Sequence, residues 1–454
     1  MNKEEKKLKW WQLSILGTGF IIGTGFFLGS NIAIKAAGPA VLVTFLLAAI
    51  GTFIVYDVLS RMTADDPQSG SFSYYSKKAF GNWAGFASGW VYWSSEMLIM
   101  GSQLTGISIF TKFWFPEVPI WIFASIYTVL GIIVVLVGVK WFEMLGNLFA
   151  IVKLSAIVMF IILAILGLFG ILDRSESQTY FPHSLTTFLP TGLKGVWAAL
   201  LFSFYAFGGI EIMSIYATRL ANAKDAPKSG KVMLVLLTTI YLVSIGMSVI
   251  LVHLSKFTMD DSPFVVALDG FHLAFIPHLF TAILVVAGFS TMSASLYAVT
   301  TLLISLSKEG YAPKKLSKKG KLKVPFPALV LTTGGLIASI VLGLLLPNAV
   351  YEYITTAAGL MLLYNWIFIL YSGKKLLSLT GFDQIKRLIA TVLILLAVTG
   401  SLVYHSSRPG FYISIGFLFA IGIVTVIMNR RFKGAKEGEQ RTKQTGLFDR
   451  LENI

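Results

Sequence analysis

Uncharged apolar runs of roughly twenty residues recur along the chain, separated by short polar or charged connections, which is the length needed to cross a bilayer as a helix. The pattern predicts twelve spans, near residues 12–36, 40–62, 83–113, 120–139, 145–172, 195–218, 232–254, 275–306, 325–346, 350–373, 388–405 and 411–429. The reading is therefore an all-α polytopic membrane protein. Every connection is short, so no separate soluble domain is expected. The longest outer connection, residues 173–194, contains "DRSESQTYFPHS". The first run continues to about Ala37, too long for the apolar core of a cleaved signal peptide.

Within that first run, "GTGFIIGTGFFLGS" (residues 17–30) holds five glycines in fourteen residues and no charge. Each glycine costs a helix about 1 kcal/mol relative to alanine. Two explanations fit. Gly19–Gly23 and Gly25–Gly29 have the small-xxx-small spacing that lets another helix approach closely. Alternatively, the segment unwinds and exposes backbone N–H and C=O groups, which is tolerated at membrane depth only where they line a cavity or meet a ligand. The sixth run, "GVWAALLFSFYAFGGIEIMSIYATR", carries a second small-residue break at Ala206–Gly209. Five spans counted from each break give residues 12–172 and 195–373, with 388–429 left over as two additional helices. An odd number of spans per half makes the halves inverted. Paired broken helices at matching positions of inverted halves are a sequence pointer to a secondary transporter's binding site.

Composition narrows the class. Of the 454 residues, 56% are hydrophobic and 13% charged, against about 25% charged in soluble domains. The net charge of +15 comes from its placement, not from a nucleic-acid face. With the tail 1–11 in the cytoplasm, 30 of the 37 Lys and Arg fall on inner segments, including the basic tail 430–454. That is the positive-inside bias, and it puts both termini in the cytoplasm. The tail from Arg430 is expected to be disordered or to lie on the membrane face. The absence of cysteine excludes disulfides and cysteine–metal sites. The histidines, His183, His253, His272, His278 and His405, form no ligand-spaced pair, so no metal site is expected.

Five strings in order give the chain a resemblance to the amino acid permeases of the amino acid–polyamine–organocation superfamily, over residues 10–370. They are "IGTGFFLGS" followed by "AGP"; "SGSFSYYSKKAFGNWAGFASGWVYW"; "FGGIE"; "SPF" with "STMSASLYA"; and "SKEGYAPK". The resemblance implies a five-plus-five inverted repeat of the LeuT type with two further C-terminal helices. It implies that Gly23, Thr24 and Gly25 hold a substrate carboxylate through backbone N–H groups and a hydroxyl, as a half-helix N-terminus can. The carbonyls of Ile21, Tyr205 and Gly208 would hold the ammonium. Tyr205 and Phe207 would wall the side-chain pocket, with the small Ala206 between them.

Charged residues inside the spans are costly and need a partner or a cavity. Lys153, in span 5, can snorkel to the inner surface. By resemblance it stands where sodium-coupled relatives bind sodium, which implies a proton as coupling ion and no cofactor. Glu211 matches the family's glutamate, as part of a gate or a second proton site. Glu96, in "YWSSEMLIM", departs from the family's apolar or aromatic residue. Ser94 and Ser95 allow it a structural role, and its depth makes it a site candidate. Arg61, Gln103, Arg219 and Ala223 are further departures. The function read here is proton-coupled import of neutral amino acids across a plasma membrane by alternating access. The alternatives are a sodium-independent exchanger, or a carrier of cationic amino acids or polyamines. No activated nucleophile, metal cluster or phosphate loop supports a membrane-embedded enzyme. The partners expected are an amino acid and the lipid bilayer, without nucleic acid; oligomeric state is left open.

Overall fold

The computed structural model describes residues 7–451, apart from 69, 138, 175–177, 259–260, 272, 274, 319–324 and 346–349. His272 lies outside the described residues. Among those described, the chain is helical, with only two isolated β-bridges, Leu8 to Leu220 and Arg174 to Phe271. The first half contains α1 (Trp10–Ile21), α2 (Thr24–Phe27), α3 (Gly29–Ala37), α4 (Val41–Asp65), α5 (Ser71–Phe80), α6 (Asn82–Lys112), α7 (Ile120–Val137) and α8 (Val139–Leu168). After α9 (Leu185–Phe188) come α10 (Gly192–Tyr205), α11 (Ile210–Ala217), α12 (Ala226–Leu251), α13 (Pro263–Asp269), α14 (Phe275–Lys308), α15 (Phe326–Leu345) and α16 (Val350–Leu376). The chain closes with α17 (Gly381–Gly400) and α18 (Arg408–Leu451). Among the described residues, eight helical runs are long and apolar enough to cross a membrane, and Phe326–Ala338 is a shorter apolar helix.

α6 is buried on every side along its middle: from Ser94 to Ile107 every residue is buried, Ser, Thr, Glu and Gln included. α14 and α16 lie along it, and α1 to α3 and α10 with α11 complete the centre. The outer helices show the opposite pattern. Val129, Leu130 and Ile133 of α7, Ile162 of α8, Leu395 of α17 and Phe419 of α18 are exposed. Such a belt of exposed large side chains suits lipid, not water.

Local chemistry explains where helices depart from the hydropathy pattern. α17 begins at Gly381, ahead of its apolar run, because the Thr380 hydroxyl accepts the Asp383 N–H (3.2 Å) and the Asp383 carboxylate accepts the Thr380 N–H (3.2 Å). The polar connection after α4 forms a helix of its own, α5. The Lys78 ammonium lies 2.6 Å from the Asp66 carboxylate and holds that acid below its ordinary range. Beyond Arg430 the backbone stays helical to Leu451 as part of α18, where disorder or a surface segment was expected. At the C-terminal end of α4, Arg61 bonds to Asp57 (2.8 Å) and reaches across to Asp383 (3.2 Å), joining α4 to α17.

Glycine sets how closely α4 and α12 approach. A Cβ on Gly230 would lie 1.7 Å from the ring of the buried Tyr56. Overpacking a dense core costs typically 1–3 kcal/mol. Gly230→Ala is therefore expected to lower the thermal unfolding temperature of the purified protein in detergent. An unchanged transition would show that α4 and α12 can separate without cost.

Candidate functional site

α1 stops at Ile21 because the next residues leave the helix. Ile22 (φ −65°, ψ 111°) and Gly23 (φ −151°, ψ −159°) are extended, and α2 starts at Thr24. Among the described residues, the N–H groups of Gly23, Thr24 and Gly25 donate to no protein acceptor. The first N–H groups of any helix lack an intrahelical partner, and here the break places them deep in the protein. The Thr24 hydroxyl is buried and also unpartnered, while the Thr24 carbonyl accepts the Tyr351 hydroxyl at 3.0 Å.

The glycines of this segment divide between the two roles. A Cβ on Gly19 would meet the Ala150 Cβ at 2.2 Å, and one on Gly17 would meet the Met233 sulfur at 2.4 Å, so these two serve packing. A Cβ on Gly23 would lie 2.8 Å from the Thr291 hydroxyl, and one on Gly25 would lie 3.0 Å from the Tyr205 ring. These two bring the broken backbone up to α14 and α10.

The second break separates α10 from α11. Gly209 sits at φ 111°, a left-handed conformation that favours glycine. The Gly208 N–H donates to the Tyr205 carbonyl (3.0 Å), and the Tyr241 hydroxyl donates to the Ala206 carbonyl (2.9 Å). Glu211, wholly buried in the first turn of α11, accepts the Gly209 N–H (3.2 Å) and the Trp366 indole N–H. A carboxylate there is favoured by the positive end of the helix. The Tyr205 hydroxyl is 2.5 Å from Ser102 on α6.

The two breaks face a common cavity of about 50 Å³. Phe20, Ile21, Gly23 and Gly25 line it from the first broken helix, and Tyr205, Ala206, Gly208, Gly209, Ile212 and Tyr216 from the second. Glu96, Ile99 and Gln103 of α6 and Thr291, Ala294 and Ser295 of α14 close the remaining side. The structure thus brings together Ile21, Gly23, Gly25, Glu96, Tyr205, Ala206 and Gly208 of the residues singled out in the sequence. The side chains of four others do not line it. Phe207 is fully buried against Phe45 and Tyr241. Thr24 fits between Gly106 and Gly288, Glu211 clamps the second break, and Lys153 lies in α8.

Lys153 does not snorkel. Its side chain is fully buried and its Nζ donates to the Gly19 carbonyl at 3.1 Å. That carbonyl would ordinarily accept the Gly23 N–H, which the break takes away. A cation at the C-terminal end of α1 also suits the negative end of its dipole. Among the described residues no group of His, Cys, Asp and Glu is arranged to hold a metal ion.

Sequence reasoning missed Phe20, Ile99, Gly209, Ile212, Tyr216, Thr291, Ala294 and Ser295 as lining residues, and noted Gln103 only as a departure. A signal was available: Glu96, Ile99 and Gln103 follow helical spacing, and Thr291 and Ser295 are four apart.

A family model described as "Amino acid permease" matches residues 12–377. An uncharacterized transporter, YcgH, of Bacillus subtilis is 52% identical over 432 residues, covering 95% of this chain and 97% of that one. The aromatic amino acid transport protein AroP of Corynebacterium glutamicum is 32% identical over 442 residues, 91% of this chain and 94% of its own. AroP of Escherichia coli K12 is 27% identical over 437 residues, 94% of this chain and 95% of its own.

The Glu211 clamp generates a stability prediction. Glu211→Leu leaves two buried N–H donors unpaired, at a cost on the order of 3 kcal/mol, whereas Glu211→Gln keeps an acceptor oxygen. Chemical unfolding in detergent should therefore rank wild type above Glu211→Gln and Glu211→Gln above Glu211→Leu. Equal stability of the two variants would mean that the carboxylate is not what holds the break.

Proposed function

This chain belongs to the amino acid permease family, and we propose that it is a secondary carrier importing neutral amino acids with protons across a plasma membrane. The observation that carries the proposal is the meeting of two interrupted helices at one cavity, which glycines of both line. A zwitterion needs donors for its carboxylate and acceptors for its ammonium. Unpaired N–H groups at Gly23, Thr24 and Gly25 supply the first. The carbonyls of Ile21, Tyr205 and Gly208 supply the second, and the side chain lies towards Phe20, Ala206, Ile212 and Tyr216. An apolar wall of this kind favours an uncharged side chain, since a buried unpaired charge is expensive. The AroP relatives, named for aromatic amino acids, support the same preference.

The carrier is a multi-pass membrane protein. In the proposed arrangement it has twelve spans, the first ten forming two inverted five-helix repeats, with both termini cytoplasmic. Support comes from the breaks falling in the first and sixth apolar runs and from the inner placement of the basic residues. The cavity volume of about 50 Å³ corresponds to a few water molecules, so the site must widen to take an amino acid. Lys153 is the proposed coupling group. Among the described residues no carboxylate lies within ion-pair distance of it, and its bond to the Gly19 carbonyl links its protonation to the end of α1.

Uptake by the purified protein in liposomes, with pH and potential imposed, tests each part. Gly25→Val should abolish uptake, because its side chain meets the Tyr205 ring within the site. Lys153→Ala should keep measurable amino acid binding and lose accumulation driven by a proton gradient. Wild-type uptake by Gly25→Val would displace the site, and unchanged proton-driven accumulation by Lys153→Ala would remove Lys153 from coupling. Lysine or arginine as the strongest competitor would overturn the neutral assignment.

A further inference from the structure

The cavity has two chemically different sides. Phe20, Ile212 and Tyr216 are apolar or aromatic, whereas α6 and α14 present Glu96, Gln103, Thr291 and Ser295. Glu96 is 1% exposed, its Oε2 has no hydrogen-bond partner, and no cation among the described residues is paired with it. The hydroxyls of Tyr92 and Ser295 stand beside its carboxyl as the nearest donors, and Oε2 is the oxygen left without a partner. Gln103 is differently placed, because its side-chain oxygen already takes the Thr291 hydroxyl. A buried acceptor left without a donor is unusual enough in a native protein to need an explanation. Here the unpaired acceptor belongs to a residue that lines the cavity.

We infer that Glu96, flanked by Ser295 and Gln103, is a side-chain subsite for amino acids whose side chains end in a hydrogen-bond donor. The inference rests on the cavity being the amino acid site proposed above and adds a determinant of selectivity to it. The backbone of the two broken helices is common to every α-amino acid and cannot tell one from another. α6 and α14 lie outside both breaks and are free to read what the backbone does not. A hydroxyl and an ammonium share the chemistry that Glu96 requires, and the apolar wall opposite receives the stem. A substrate lacking the donor leaves Oε2 unpaired, and sites built around such a bond discriminate strongly against the lacking analogue.

The test is competition for uptake in liposomes containing the full chain, using pairs that differ by one donor: threonine against valine, tyrosine against phenylalanine, and lysine against norleucine. In the wild type, the donor-bearing member of at least one pair should compete tenfold better or more. Glu96→Leu should bring that ratio close to one, while Glu96→Gln, which keeps an acceptor oxygen, should retain a preference. Ratios near one for all three pairs in the wild type would overturn the subsite without any variant being needed. So would a wild-type ratio preserved in Glu96→Leu. A preference confined to the hydroxyl pairs supports both the subsite and the neutral reading. A preference greatest for lysine supports the subsite and overturns the neutral reading, and absence of amino acid uptake altogether overturns the reading beneath both.

Discussion

Backbone N–H and C=O groups cannot be left unpaired in an apolar interior without a cost of several kcal/mol each. This protein interrupts two of its central helices, and most of the arrangement around them follows from that constraint. At the first break the Gly19 carbonyl loses its helical donor and receives Lys153. At the second, Glu211 accepts the Gly209 N–H and Tyr241 donates to the Ala206 carbonyl. The two side chains are complementary in type: an amine sits at the C-terminal end of α1 and a carboxyl group at the N-terminal end of α11. The groups that remain unpaired, the N–H groups of Gly23 to Gly25, are the ones the cavity can use.

The same residues that break the helices let their neighbours close on them. Gly17 and Gly19 admit the Met233 side chain and Ala150, and Gly106 and Gly288 admit the Thr24 side chain. α6, buried on every side along its middle, supplies a fixed wall for both broken helices through Gly106 and Ser102. Interiors packed to this density transmit displacement instead of absorbing it. The small cavity is thus a consequence of close packing around the breaks, as well as of their chemistry.

Much of this was legible in the chain. Apolar length placed the helices, and the glycine clusters marked both breaks, because a residue that costs helix stability recurs only where something else requires it. What was not legible was direction. Phe207 stands within the second break, yet its ring turns to Phe45 and Tyr241, because a break residue can face either the cavity or the core and the period of the sequence does not say which. Thr24 shows the same ambiguity. Lys153 could have reached the inner surface by length alone, and only tertiary structure reveals that it reaches a carbonyl instead. The α5 helix and the early start of α17 depend on side-chain bonds at polar connections, where hydropathy carries no signal.

The ends of the two broken helices remote from the breaks are themselves tied together. Leu8, just before α1, donates its N–H to the Arg219 carbonyl (3.0 Å) and accepts the Ala221 N–H (2.9 Å), so the chain entering α1 pairs with the chain leaving α11. The Ser14 hydroxyl bonds to the Ser229 carbonyl at the start of α12 (2.9 Å), and Lys228 lies over the Trp10 ring (4.1 Å). α1 is therefore fastened to α11 and α12 at the end remote from α2, while at Ile22 and Gly23 it is joined to α2 through extended backbone alone. Any relative movement of α1 against α2 and α3 must concentrate at those two residues, since helix on either side resists bending. They are also the residues that bring the free N–H groups to the cavity. The extended link between α1 and α2 is thus the same stretch that brings unpaired N–H groups to the cavity, so a change in its backbone angles would rearrange those donors.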